Sequence, residues 1–417
     1  QSTCPHNVAP RQPTYHPNRR ATLNLIIAPQ TKPRRLWHPV LNAMGKGGES
    51  PPFLFRKPPG KVSSLWKSPM ASKRFSPLLL SLALLSGCGA ERSADLLQAA
   101  QSQVEQAMTE HRFHDARNKL ILIEKATGPS VATAKGLARV ALELGDGYAA
   151  EYQLNQLRSL SGETSEWIDM RAQSMILQGA TSRARDLITR FNGTRPPSDR
   201  QAWLLVWAAM EEGKVEEAKE IANSALALYS RSADLHARAG RLMAMRGDWS
   251  AVDTHVAAAL QADPQHYEAL LLQGESKIAK GDLAGALEPY ETAAKTYPDF
   301  AVPFANIAGL LMVLGRLDEA QKVLASARPK YPDFPLLSFS AARLDAIRGR
   351  WPEARATLQA LPMAFKRDFA PALLLEAEVE AGLGNHTLAR SMYESLASEP
   401  RVRDQVAELL KRLPAAS

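Results

Sequence analysis

One residue type keeps strict time along this chain. Glycine stands at Gly145, Gly179, Gly213, Gly247, Gly281, Gly315 and Gly349, each 34 residues after the last, and Gly384 follows at a step of 35. A fixed period of this size is the mark of a supersecondary unit repeated and stacked, each unit contacting its neighbours rather than one central core. The usual prior of roughly 100–200 residues per domain assumes compact globules, so it does not constrain such an array.

Other positions keep the same phase. Five residues after each glycine come Ala150, Ala184, Ala218, Val252, Ala286, Ala320, Ala354 and Ala389. Seven residues before it come Ala138, Ala172, Val206, Gly240, Gly274, Ala308, Ala342 and Ala377. Pro196, Pro264, Pro298 and Pro332 lie seventeen residues after their glycines. Stepping back one period puts His111 at the glycine position and Ala116 five residues later, a degenerate first unit.

Each unit reads as helix, turn, helix, turn. The glycine permits the positive φ that ends the first helix. Asp146, Asp248 and Asp282 follow it directly, where a short polar side chain starts the next helix. Small residues then let two helices of about 14 residues, roughly 21 Å each, pack closely. The proline ends the second helix.

Spacing, small positions and terminal proline together resemble the tetratricopeptide repeat family, over residues 97–403 and about nine units, best between 233 and 334. The resemblance implies an all-α fold, a right-handed superhelical solenoid of helical hairpins. The amphipathic segment Asp404–Leu413 is expected to cap its end, with residues 404–417 as capping helix and tail.

Residues 1–69 differ from the rest. They hold 12 of the 28 prolines and eleven Lys or Arg against one acid, Glu49, and show no helical or strand period. That stretch carries +10, more than the +8 of the whole chain, leaving −2 for residues 70–417. The basic balance therefore does not mark the repeat region as a nucleic-acid partner. The stretch reads either as a disordered basic leader or as translation of sequence upstream of a start at Met70, and the second reading is preferred. From Met70 come Lys73 and Arg74, the short apolar run Leu78–Leu85, and Ser86-Gly87-Cys88. This is the layout of an export signal, too short to span a bilayer. Leu85-Ser86-Gly87-Cys88 resembles the lipobox of bacterial lipoproteins. The resemblance implies cleavage of residues 70–87, acylation of Cys88, and residues 88–96 as a lipidated tether. Gly89 follows the cysteine where aspartate would resemble an inner-membrane retention signal, so the expected seat in a Gram-negative cell is the outer membrane, facing the periplasm.

Motifs for chemistry are missing. Gly45-Lys46-Gly47-Gly48 lacks phosphate-loop spacing, and no metalloprotease, nucleophile-elbow or zinc motif occurs. His111 and His114, at i and i+3, read as exposed turn residues rather than ligands. The expectation is no enzyme, no cofactor, no metal and no small-molecule substrate.

In the tetratricopeptide family the first helices line a concave groove. The resemblance then implies that residues ten and six before each turn glycine face a partner: Lys135 and Arg139, Asp169 and Gln173, Trp203 and Trp207, Ala237 and Arg241, Leu271 and Glu275, Ala305 and Gly309, Phe339 and Arg343, Leu374 and Glu378. Aromatic, aliphatic and arginine positions of this kind suit interface hot spots. Trp203 and Trp207, four apart, form one ledge on this reading; core packing is the other. The carboxylate clamp of some family members is not reproduced, because Met170 and Leu204 stand where polar groups are expected. The expected function is a membrane-anchored adaptor that binds other envelope proteins, in the manner of the lipidated repeat proteins that accompany exopolysaccharide export and exosortase-type sorting. A docking subunit that regulates a cell-wall enzyme is the alternative.

Overall fold

The computed structural model describes residues 90–414; the leader, the signal and Cys88 lie outside them. Among the described residues there are twenty helices and no strand. They divide into two compact units, one running through Glu212 and one from Gly213 onward.

The N-terminal unit holds α1 (Ala90–Thr109), α2 (Phe113–Thr127), α3 (Val131–Glu143), α4 (Gly147–Ser161), α5 (Ser165–Leu177), α6 (Thr181–Asn192) and α7 (Asp199–Glu211). Each helix packs on the next, and α3, α5 and α7 also touch one another in turn, so first helices form a row. Helix α1 starts at Ala90, inside the stretch read as a tether. Its core gathers Ala134, Ala138, Leu154, Leu157, Trp167 and Ile168, and the Trp167 Nε1–H donates to the Leu154 carbonyl at 2.8 Å. The indole thereby keeps a partner for its one polar atom while its rings fill the core.

The C-terminal unit holds α8 (Val215–Leu228), α9 (Ala233–Met245), α10 (Trp249–Ala262), α11 (Tyr267–Ala279), α12 (Leu287–Thr296), α13 (Val302–Val313), α14 (Leu317–Ala327), α15 (Pro335–Ile347), α16 (Trp351–Gln359), α17 (Met363–Asp368), α18 (Ala370–Gly382), α19 (His386–Leu396) and α20 (Arg403–Arg412). Neighbouring helices pack in sequence order except that α16 packs on α18 rather than on α17, and α9 touches α11, α13 touches α15 and α15 touches α18. Helix α20 closes the unit by setting Val406 into a cluster with Leu374, Tyr393 and Leu396. This is the capping helix expected at Asp404–Leu413, one residue earlier at each end.

The periodic positions do what their chemistry requires. The eight turn glycines have φ between 72° and 85°. After Gly145, the Asp146 N–H reaches the Ala141 carbonyl at 2.8 Å and the Gly145 N–H reaches Leu142 at 3.1 Å. That is the paired bond of a left-handed helix terminus. His111 occupies the same place with φ 51°, and is the one non-glycine residue with positive φ among the described residues. Its turn makes the same two bonds, Arg112 to Ala107 at 2.8 Å and His111 to Met108 at 3.1 Å. Every residue five after a turn glycine is fully buried, from Ala150 to Ala389, as is Ala116 in the degenerate unit.

In one repeat the residue seven before the glycine makes room for the residue nine after it. The two sizes do not trade off along the whole array, since Ala377 pairs in the period with Tyr393 and Gly240 with Val256. Ala308 and Ala342 pair in the period with Leu324 and Leu358, whereas Gly274 pairs with Tyr290. A Cβ on Gly274 would come within 2.5 Å of the Tyr290 ring, so the missing methyl makes room for the phenol.

Two expectations need correction. Asp146 and Asp248 do cap their helices, accepting from Ala149 at 2.9 Å and Ala251 at 3.0 Å. Asp282 accepts from Gly285 at 2.9 Å, but regular helix starts only at Leu287. Pro289, four residues after Gly285, has no N–H to offer the Gly285 carbonyl, which accepts instead from Lys277 Nζ at 3.1 Å, so the first turn stays irregular. The step of 35 before Gly384 comes with an additional helix, α17, which no neighbouring repeat contains. Its Phe365 packs on Phe369, which stands edge-on to Phe339 at 5.1 Å.

Candidate functional site

The first-helix rows carry polar side chains in positions where a helix interior would be apolar. In the C-terminal unit the richest group spans α9 and α11. Arg238 and Arg241, three apart on one face of α9, are each 6% exposed. Facing them from α11 are Glu268 and Glu275. Glu268 Oε1 lies 3.5 Å from both Arg238 Nη1 and Arg241 Nε, and Arg241 Nη1 also pairs closely with Glu275. Leu271, 8% exposed, sits one turn from Glu275 on the same helix. Of the residues expected in a groove, Arg241, Leu271 and Glu275 are thus brought into one cluster.

The electrostatics of this cluster are self-consistent. Burial works against the Arg241 charge, yet Glu275 and Glu268 together hold it protonated more firmly than an ordinary arginine. Beside it, burial pushes the Tyr267 phenol far up, so that it stays a neutral hydroxyl. The Tyr267 ring meets Phe300 and Tyr297 edge-on at 4.9 and 5.0 Å. Charges held this way act as fixed donors and acceptors, and they select a partner by register more than they add stability.

The N-terminal unit has a second group, on α5 and α7. Asp169 Oδ1 accepts from Gln201 Nε2 at 2.9 Å, and Gln173 Oε1 accepts from Arg200 Nη2 at 2.6 Å. Burial lifts the Asp169 carboxyl above its ordinary range, the Gln201 bond opposing it only in part. Gln201 also closes the cap of α7 with Ser198. Trp203 and Trp207 do lie side by side, ring centres 5.2 Å apart, but they are 8% and 6% exposed and offer solvent only an edge. The Trp207 Nε1–H donates to Glu211 at 3.1 Å.

The remaining expected residues are scattered. Lys135 pairs with Glu166 at 2.5 Å, and Arg139 is exposed. Phe339, 3% exposed, is covered by the aromatic cluster that α17 brings, and Arg343 is 6% exposed. Arg200, Gln201, Arg238, Tyr267 and Glu268 were not among the expected residues, because they do not fall ten or six before a turn glycine. Glu268 lies thirteen before Gly281, in the first turn of α11, and only its fit to the arginines of the preceding repeat would have marked it.

Among the described residues no group of three or more His, Cys, Asp or Glu is arranged to hold a metal ion. His236 and His255 face each other with Nδ1 atoms 3.1 Å apart, a two-nitrogen pair. No described helix is long and apolar enough to cross a membrane.

Residues 277–344 match a family model described as tetratricopeptide repeat. The match runs from the end of α11 through most of α15, so it covers the part of the chain in which turn glycine, small positions and proline all keep phase. No curated protein matches the sequence. Among solved structures, the chain is similar to a tetratricopeptide repeat protein from Parabacteroides merdae, at 18% identity and TM-score 0.45, over 59% of this chain and 97% of that one. It is also similar to pilF of Pseudomonas aeruginosa, at 18% identity and TM-score 0.41, over 50% and 97%. A third is PilW, a type IV pilus biogenesis factor, at 16% identity and TM-score 0.43, over 51% and 98%.

Proposed function

We propose that this chain is an adaptor of the bacterial envelope, which uses the first-helix faces of its tetratricopeptide repeats to hold segments of other envelope proteins. On this reading a lipid on Cys88 tethers it to the outer membrane. Its partners belong to an assembly or export machine, such as one for exopolysaccharide or sorted proteins.

The observation that carries the binding role is the cluster of Arg238, Arg241, Glu268 and Glu275 beside Leu271. Two consecutive first helices hold four charges in a mutually fixed, part-desolvated arrangement. The Arg241 charge is held there against burial by Glu275 and Glu268. Such a group supplies a patterned surface with an apolar neighbour, which suits recognition. The tether rests on the lipobox-like run Leu85-Ser86-Gly87-Cys88 behind a short apolar signal.

The test has two arms. The native chain is fractionated and its intact mass measured; acyl mass on a chain starting at Cys88 supports the tether, and a soluble, unacylated chain removes it. Cross-linked complexes from envelope extracts are then compared for the wild type and for Glu275→Gln with Leu271→Ala. Loss of a defined envelope protein in the variant supports the docking face, whereas an unchanged set moves docking elsewhere. A cell-wall hydrolase in that set would favour the regulatory docking reading.

A further inference from the structure

We propose that the C-terminal unit has a second docking site, between α14 and α15, which takes a bulky apolar side chain standing next to a carboxylate on an extended segment of a partner protein. The site is a pocket of about 450 Å³ lined by residues of α14, of α15 and of the turn between them. Its floor is apolar, with Leu324 and Leu344 2% and 1% exposed and Ala341 8% exposed. Pro329 and Pro332 wall one side. The residues that line it lie on the opposite face of α15 from Phe339 and Arg343, so it is distinct from the first-helix face discussed above.

The pocket exists because two side chains are cut short. Ser338 and Ala341 stand where the preceding repeat has Phe304 and Ile307, and where the following one has Leu373 and Glu376. The volume lost is that of a large side chain, which an incoming leucine or aromatic residue would restore. A pocket of this size is within the range of sites that hold ligands.

Its mouth favours an anion. The Arg328 side chain is exposed and makes no hydrogen bond or ion pair, its charge being felt only through space by Asp345. Gln321 Oε1 already accepts from Arg348 at 3.2 Å and Arg350 at 3.4 Å, which leaves its amide nitrogen to donate outward. The carboxylate at the mouth, Asp345, is held by Arg350 at 2.5 Å, so its charge is balanced within the fold. Burial also lifts its carboxyl above the ordinary aspartate range. A guanidinium with an unused donor fork beside an apolar recess matches a carboxylate next to an apolar side chain.

The probe is a capped peptide carrying photo-leucine followed by aspartate, cross-linked by light to the purified chain and mapped by mass spectrometry. Cross-links on Leu324, Ser338 and Ala341 are expected. Their yield should fall at least about tenfold with an asparagine peptide, with Arg328→Gln, and with Ala341→Leu, which fills the recess. If Ala341→Leu does not fold by circular dichroism, Ser338→Phe takes its place, since the neighbouring repeat carries phenylalanine there. Cross-links on the α9 and α11 face, or yields that ignore both the aspartate and Arg328, overturn the assignment. The first of these results would still leave the adaptor reading intact, so the two stand or fall separately.

Discussion

Arg200 lays its guanidinium over the Trp203 ring, 4.1 Å from the ring centre. The same side chain donates to Gln173 on the preceding first helix, so one arginine closes the indole from above and ties α5 to α7. Cutting it back in Arg200→Ala should cost about 1–2 kcal/mol, the sum of a cation–π contact and a hydrogen bond. Trp203→Ala removes a buried ring and should cost about 3–5 kcal/mol. Urea unfolding of both singles and the double checks the pair; strict additivity would mean that Arg200 and Trp203 do not act together.

His111 holds a backbone conformation that its seven 34-spaced counterparts leave to glycine. A side chain there costs about 1–2 kcal/mol of steric strain, and glycine returns part of that as chain entropy. His111→Gly should therefore stabilise the α1–α2 hairpin by somewhat less than about 1 kcal/mol. Hydrogen exchange of the amides of α1 and α2 reads this directly, and faster exchange in the variant would contradict it.

Gly274 and Tyr290 exchange volume. Gly274→Ala drives a methyl into the phenol ring and should lower stability by about 1–3 kcal/mol. Adding Tyr290→Leu recreates the alanine and leucine pair found at Ala308 and Leu324, and should recover most of the loss. The double variant melting as low as Gly274→Ala alone would show that the two positions are not coupled.

Asp169 gives a pH signature. Its carboxyl is raised above the ordinary value of 3.8, first by burial, so the folded state binds its proton more readily than the unfolded chain. That preference favours folding fully below the unfolded value and is lost as pH rises through the folded one. Asp169→Asn keeps an acceptor for Gln201 without the charge. It should match the wild type in strong acid and melt higher at neutral pH. Equal melting at every pH would mean that the carboxylate is not disfavoured by folding.

The periodic part of this fold was open to reading because it rests on backbone geometry and on volume. A left-handed turn selects glycine, and a close helix crossing selects alanine, so Gly145 and Ala150 announce themselves at every recurrence. The charged cluster was less legible. Arg238 and Glu268 need each other rather than a fixed place in the period, and their partnership appears only when α9 and α11 lie side by side. Arg241, Leu271 and Glu275 were reached by phase alone. The same phase also selected Phe339, without sight of the aromatic cover that α17 supplies. The late start of α12 follows from Pro289, whose missing N–H leaves the Gly285 carbonyl to Lys277, and the capping pattern at Asp282 alone did not weigh it.

The extra residue between Gly349 and Gly384 behaves as a phase slip in an otherwise periodic lattice. Repeats before it can be exchanged for one another by cutting at their turn glycines, since donor and acceptor share one register. A repeat moved across it arrives out of step by one residue, and without α17 it leaves Phe339 and Phe369 with no Phe365 to pack against. Modular reassembly of this chain must therefore treat residues 349–384 as a single indivisible piece.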